Sequence, residues 1–142
     1  MIIYLNCISG LRAEQLAGPF WAGWRNPPAP EDHLRILQGS HAVWLAIDTE
    51  SGDMVGFINA VSDGVLTAYI PLLEVVAPYQ GQGIGTELVR RMLATLGSLY
   101  QIDLMCDDDV RPFYERLGMQ PAGGMVARNY ARQSAAPLDR NK

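Results

Sequence analysis

Three glycines at alternate positions, Gly81, Gly83 and Gly85, follow an apolar run and precede a helical pattern. That order of strand, glycine loop and helix start is what an anion site needs. Consecutive backbone N–H groups line the loop, the helix dipole adds partial positive charge, and glycine lets the backbone approach a phosphate without an intervening Cβ. Gly81 through Thr86 are therefore expected to hold a pyrophosphate. Just upstream, Glu74 is the one ionisable side chain within Ile70–Ala77, and strand alternation sets it on the opposite face from Leu73 and Val75. A carboxylate there can accept a proton directly or through water, and partial burial would raise its pKa toward that task. A paired or outward-facing structural glutamate is the alternative. The run Asp107-Asp108-Asp109 offers an N-cap, Asp109, to the helical stretch after it, and its excess of acid would make a mouth attractive to a cation. Trp21 and Trp24 suit a pocket wall or plain packing. His33 and His41 show no metal-ligand spacing, so no metal site is expected. Cys106, ending an apolar strand, reads as a packed core thiol.

The elements that must position these residues can be placed from periodicity. A short strand is expected at Ile2–Asn6 and a helical stretch around Leu11–Ala17, before prolines 27, 28 and 30 forbid regular structure. Pro30-Glu31-Asp32 opens a second helix, which Gly39 ends. Alternation then predicts strands at Ala42–Asp48, Met54–Ser62 and Val65–Val75, with a type I′ turn at Asp63-Gly64. Pro71 within the third strand predicts a bulge or a missing ladder bond. After the loop, a helix is expected from Thr86, with Leu88, Val89, Met92, Leu93 and Leu96 at helical spacing. A strand at Tyr100–Cys106 should run parallel to Leu72–Val76 by the crossover rule. A short helix at Val110–Leu117 closes at Gly118, Met119–Pro121 and Met125–Tyr130 carry strand signals, and the polar tail 131–142 is expected to be disordered.

Composition narrows the class. A chain of 142 residues, about half of them apolar, suits one globular domain. Net charge is −4 and the only lysine is Lys142, which argues against nucleic acid or an acidic membrane as partner. Two distant cysteines, Cys7 and Cys106, form no disulfide framework, so a reducing cytoplasm is expected. No signal peptide or apolar stretch of the ~18 residues a membrane span needs is visible.

A P-loop requires lysine after its last glycine, where this chain has Thr86. A dinucleotide fingerprint requires G-x-G-x-x-G where this chain has G-x-G-x-G, and a meander precedes the loop, although Asp103 lies about 20 residues on as a ribose acid would. A turn that merely packs helix on strand is the bland alternative. The pattern that fits is Q-x-x-G-x-G, from Gln80, Gly83 and Gly85. With Leu73-to-Gly85 around it and Phe113-Tyr114-Glu115-Arg116-Leu117-Gly118-Met119 downstream, the chain resembles the GCN5-related N-acetyltransferase (GNAT) superfamily over roughly residues 40–130.

The resemblance implies a single-domain α/β acyl-CoA N-acyltransferase fold over residues 1–130, with a mixed, mainly antiparallel sheet flanked by helices. Its two central parallel strands would splay where the donor enters. It implies acetyl-CoA as co-substrate and a primary amine as acceptor, with direct transfer in a ternary complex. Leu73, Glu74 and Val75 would offer backbone groups to the pantetheine arm and the acetyl oxygen. Gln80, Gly81, Gln82, Gly83, Ile84, Gly85 and Thr86 would hold the pyrophosphate. Tyr114 matches the family's tyrosine near the thioester sulfur, where a phenol can protonate or hydrogen-bond the thiolate. Asp107 stands where the family often has asparagine, and an ionised aspartate accepts but cannot donate. Asp107, Asp108 and Trp24 are the candidate acceptor contacts. A protein N-terminal acetyltransferase and a non-catalytic acyl-CoA-binding module are the alternatives; the oligomeric state stays open, with dimers common in the family and the final strand a candidate contact.

Overall fold

The computed structural model describes residues 1–138. Five strands form one sheet in sequence order: β1 (Ile2–Leu5), β2 (Ala42–Asp48), β3 (Met54–Ser62), β4 (Thr67–Val75) and β5 (Gln101–Leu104). The first four pair antiparallel and β4–β5 is parallel. Helix α2 (Ile84–Thr95) is the right-handed crossover between those two strands. Its apolar stripe of Ile84, Leu88, Val89 and Met92 is buried on one face of the sheet. Gly56 makes that approach close, since a Cβ there would stand 3.2 Å from the Glu74 carbonyl oxygen and 3.3 Å from Leu88 Cδ1. On the other face, α1 (Pro30–Gln38) and a 3₁₀ turn at Ala13–Leu16 bury Leu16, His33 and Leu37. Phe57, Leu45, Ile58 and Met54 fill the middle, each contributing on the order of 1.5–3 kcal/mol by leaving water.

The bulge expected at Pro71 is present. Asn59 pairs with Leu72 and Val61 with Tyr69, so Ile70 and Pro71 together face the single residue Ala60. The parallel ladder with β5 ends at the same point, Ile70 opposite Leu104. Proline has no N–H for a further rung, so β4 and β5 part from there on. The paired residues are thus Thr67–Ile70, earlier in the strand than the expected Leu72–Val76.

Several local expectations change. Leu11–Ala17 is only a 3₁₀ turn. The hairpin loop is four residues, Asp63–Leu66, because Asp63 Oδ1 accepts the N–H groups of Val65, Leu66 and Thr67. Such capping by an aspartate stabilises a longer turn than the two-residue form. Residues 119–129 form no strand, which leaves β5 at the sheet edge instead of its centre. Tyr130–Arg132 form a 3₁₀ turn, which takes in the first two residues of the tail 131–142 expected to be disordered. Gln133 Oε1 accepts the Asn26 N–H at 3.0 Å and the Ala135 carbonyl accepts from Arg35 at 3.1 Å. Residues 139–142 lie outside the described residues.

Candidate active site

Helix α2 begins at Ile84, two residues before the expected Thr86, with Gly83 as its N-cap. Gly81 and Gly83 adopt φ of +76° and +84°, a conformation costing L-residues roughly 1–2 kcal/mol. Gly85 has no such requirement, and a Cβ there would meet Phe113 and Val75 at an ordinary 3.8 Å. The ladder is thus two obligatory glycines and one permissive one. Glu87 N–H closes the first helical turn on the Gly83 carbonyl, so the N–H groups of Ile84, Gly85 and Thr86 have no acceptor within the helix, and no side chain caps them. All three residues line a cavity of about 300 Å³, with Val75, Tyr79, Gln80, Gly81 and Phe113. The loop is anchored at two points. Gln80 Nε2 donates to the Val75 carbonyl at 2.8 Å, and the Tyr79 hydroxyl donates to the Asp48 carboxylate. Gln82 does not line the cavity; its Nε2 sits 3.5 Å from the Pro78 oxygen, at the limit of a hydrogen bond.

Leu73, Glu74 and Val75 lie beyond the last β4–β5 pair, so their β5-facing backbone edge has no strand partner. Across the opening stands α3 (Arg111–Glu115). Its Phe113 lines the cradle, and its Tyr114 lines a larger cleft of about 630 Å³ with Leu104, Cys106 and residues 117–125. The two rings meet edge-to-face at 4.9 Å, so one turn of helix joins the glycine cradle and the cleft. Burial, with the nearby Cys106 thiol, pushes the Tyr114 phenol up to about 12. A phenol that weak keeps its proton, and it can donate a hydrogen bond more readily than transfer a proton.

Glu74 pairs across the sheet with Phe57 and so faces the α1 side. The Trp21 backbone N–H donates to its Oε1 at 2.8 Å, while Oε2 is buried without a partner. Burial raises the Glu74 pKa, and the Trp21 N–H partly offsets that. Trp21 reaches this position at φ +67°. Its indole is held edge-on by Trp24 and His33 at 4.9 and 4.8 Å. His33 is fully buried against Phe20, Trp21 and Phe57, with neither ring nitrogen hydrogen-bonded, and burial lowers it to about 4.

Other candidates do not converge on the site. Asp107 and Asp108 are exposed and line neither cavity, and Asp108 pairs with Arg111 at 2.7 Å. Asp109 is not an N-cap, because α3 starts after Val110 and carries no side-chain cap. Trp24 is partly exposed but lines neither cavity. Cys106 is exposed, not packed, because β5 stops at Leu104. Among the described residues, no three His, Cys, Asp or Glu side chains cluster as metal donors, and no helix is long and apolar enough to cross a membrane. Sequence reading missed the Trp21–Glu74 bond and the buried His33. A tryptophan between glycines 18 and 23 was the available hint of an unusual backbone.

Comparison with known proteins agrees with this geometry. The crystal structure of a candidate acetyltransferase from Deinococcus radiodurans R1 superposes with a TM-score of 0.92 at 48% identity, covering 96% of this chain and 94% of that one. GCN5-related N-acetyltransferase 3, chloroplastic, of Arabidopsis thaliana is 41% identical over 70 residues, 48% of this chain and 30% of that protein. Serotonin N-acetyltransferase 2, chloroplastic, of Oryza sativa subsp. japonica is 33% identical over 97 residues, 65% of this chain and 48% of that protein. The chain thus spans less than half the length of these two curated relatives. The family model for GNAT acetyltransferases matches residues 11–119. Its span takes in the β2–β4 meander, the glycine cradle at α2 and the Phe113-Tyr114 pair, and on that match the chain belongs to the GNAT acetyltransferase family.

Proposed function

We propose that the protein transfers the acetyl group of acetyl-CoA to a primary amine, preferentially a small cationic one, by direct attack in a ternary complex. The observation that carries this reading is the cradle of unpaired N–H groups at the start of α2, set beside a strand edge from which β5 has parted. Gly81 and Gly83 shape the loop, and Ile84, Gly85 and Thr86 offer N–H groups to a pyrophosphate. The free edge of Leu73–Val75 accepts the pantetheine arm. In the reaction the neutral amine attacks the thioester carbonyl carbon, the C–N bond forms, and the C–S bond breaks. The amine proton goes to Glu74, and Tyr114 donates a hydrogen bond to the departing thiolate. A serotonin N-acetyltransferase among the relatives supports a small amine as acceptor.

The test is thiol release from acetyl-CoA across a panel of polyamines, arylalkylamines, amino sugars and peptide N-termini. Turnover with small cationic amines is expected. Turnover with peptide N-termini alone would make the protein an N-terminal acetyltransferase, and CoA binding without turnover on any amine would make it a binding module.

The active unit in this proposal is a homodimer in a reducing, cytoplasmic setting. Both thiols, Cys7 and Cys106, are free and exposed. The β5 edge is unpaired on its outer side, and the strand-like segment 125–130 exposes Met125, Val126 and Tyr130. A free edge and a segment of strand composition in one chain can complement each other between two copies. Sedimentation should give twice the chain mass; a monomer at micromolar concentration would refute the dimer.

A further inference from the structure

The Glu74 carboxylate is closed on both sides in the free protein. Oε1 accepts the Trp21 N–H at 2.8 Å, and Oε2 is shielded from solvent with no partner at all. A proton acceptor in that state cannot be reached by an amine. The element that holds Oε1 is a strained one. Trp21 holds φ +67°, a left-handed conformation that is a genuine outlier for a bulky residue. The strain persists because the indole is locked: Trp21 is 6% exposed, against Trp24, His33 and Phe57 at 4.8 to 6.0 Å. The surrounding segment, residues 17–29, has no helix or strand, and Gly23 within it also takes a positive φ of +83°.

We infer that Trp21 is a positioning residue that caps Glu74, and that an ammonium-bearing acceptor opens the cap to reach Oε2. The inference rests on Glu74 being the proton acceptor of the proposed reaction. Three physical terms favour opening by a cation. Oε2 is a desolvated carboxylate oxygen without a donor, so a charge-assisted bond to an ammonium satisfies it. Release of Trp21 relaxes the left-handed backbone. The Trp21 indole, whose backbone holds the carboxylate, stands 4.9 Å from the partly exposed Trp24 ring, and a cation is attracted to aromatic faces. A neutral acceptor would gain none of the first and third terms. The cap therefore selects for cationic amines at the base itself, instead of at the exposed acidic run Asp107–Asp109. The groups facing Glu74 are few: the Trp21 N–H from the 17–29 segment and the uncharged Phe57 ring from β3, with His33 of α1 reached through Trp21 and Phe57 and neutral above pH about 4.

The test follows the Glu74 side-chain carboxyl by carbon NMR during a pH titration, together with the acid limb of kcat/KM. In Trp21→Ala the anchoring ring is gone and Oε2 meets water, so the Glu74 midpoint should fall toward the ordinary carboxylate range, and the acid limb should move down with it. Trp21→Phe should keep both near wild type. If Trp21→Ala does not fold, the wild-type protein decides: added n-butylamine should perturb the Trp21 amide resonance and speed its hydrogen exchange, and n-butanol should not. A Glu74 midpoint unchanged in Trp21→Ala, or a Trp21 amide indifferent to the amine, overturns the cap. Glu74→Gln is the separate control. If it leaves acetylation intact, the base assignment fails, whatever the carboxyl titration shows for the cap.

Discussion

His33 should make this protein lose stability in mild acid, and the loss can be worked from its surroundings. The ring is 0% exposed, wedged against Phe20, Trp21 and Phe57, with no acceptor for a second proton. Burial lowers its pKa from 6.5 to about 4. Between those values the unfolded chain binds a proton that the native protein refuses, so stability rises with pH across that window and falls as pH drops through it. At about 1.36 kcal/mol per pH unit, the loss from this one group is about 2 kcal/mol at pH 5 and about 3 kcal/mol at pH 4. That is a large part of the roughly 5–15 kcal/mol of an ordinary domain. Glu74 works in the opposite sense, since its raised pKa means the native state takes a proton more readily and gains stability as pH falls. Asp48 and Asp63, both lowered, lose their contribution only below the ordinary aspartate range. Comparing wild type with His33→Leu cancels these other groups. Urea unfolding followed by tryptophan fluorescence at pH 7, 6, 5 and 4.5 should show the wild type losing about 2 kcal/mol more than the variant. At pH 7 the two should be close, because removing two unpartnered nitrogens offsets the repacking of the ring's neighbours. Parallel loss in both proteins would refute the claim that His33 is neutral and trapped.

Other outcomes follow from the same structure. Tyr114→Phe should leave CoA affinity unchanged by calorimetry and cut acetylation roughly 10- to 1,000-fold, the scale for one donor to developing charge; unchanged kcat would remove the tyrosine from the chemistry. Gly83→Ala should weaken CoA binding about tenfold, from ~1–2 kcal/mol of left-handed strain at the helix start, whereas Gly85→Ala, with 3.8 Å of room, should bind nearly normally. Equal losses in the two would contradict the loop geometry. Glu74→Gln should keep the Trp21 bond through its amide oxygen and still lose most acetylation at neutral pH, with no acid limb left in the rate profile. Gly56→Ala places a methyl 3.2–3.3 Å from the Glu74 carbonyl oxygen, Leu88 and Val75 and should cost about 1–3 kcal/mol in urea unfolding; an unchanged midpoint would mean that α2 is free to shift.

Features set by local chemistry were legible in the chain. Alternation located β2 and β3 to the residue, and Pro71 announced its bulge. The glycines marked the cradle, though only Gly81 and Gly83 prove to need glycine. What escaped depends on contacts between distant segments. Glu74 stood out as an ionisable group in an apolar strand, but its partner is the backbone of a residue 53 positions away, and a backbone donor leaves no side-chain signature. His33 offered only a lack of metal-ligand spacing, and only the fold brings three aromatic rings around it. Met125–Tyr130 has strand composition and no strand, because pairing depends on where the fold places a segment and composition does not encode that. Asp109 has the composition of an N-cap, but α3 begins one residue later than its pattern predicts, with Val110 as the N-cap.

Pro71 has a consequence for the timing of donor entry. The gap between β4 and β5 is written into the covalent chain, since the residue that follows the last rung carries no amide hydrogen. No strand pairs have to separate before an incoming molecule can lie along Leu73–Val75. Entry is then governed by diffusion and alignment, with no tax for populating a rare open form. The acceptor side is built the other way, around a carboxylate that starts closed. Under the proposed reaction, an open slot and a closed carboxylate in one small domain favour an order of arrival, donor first and amine second.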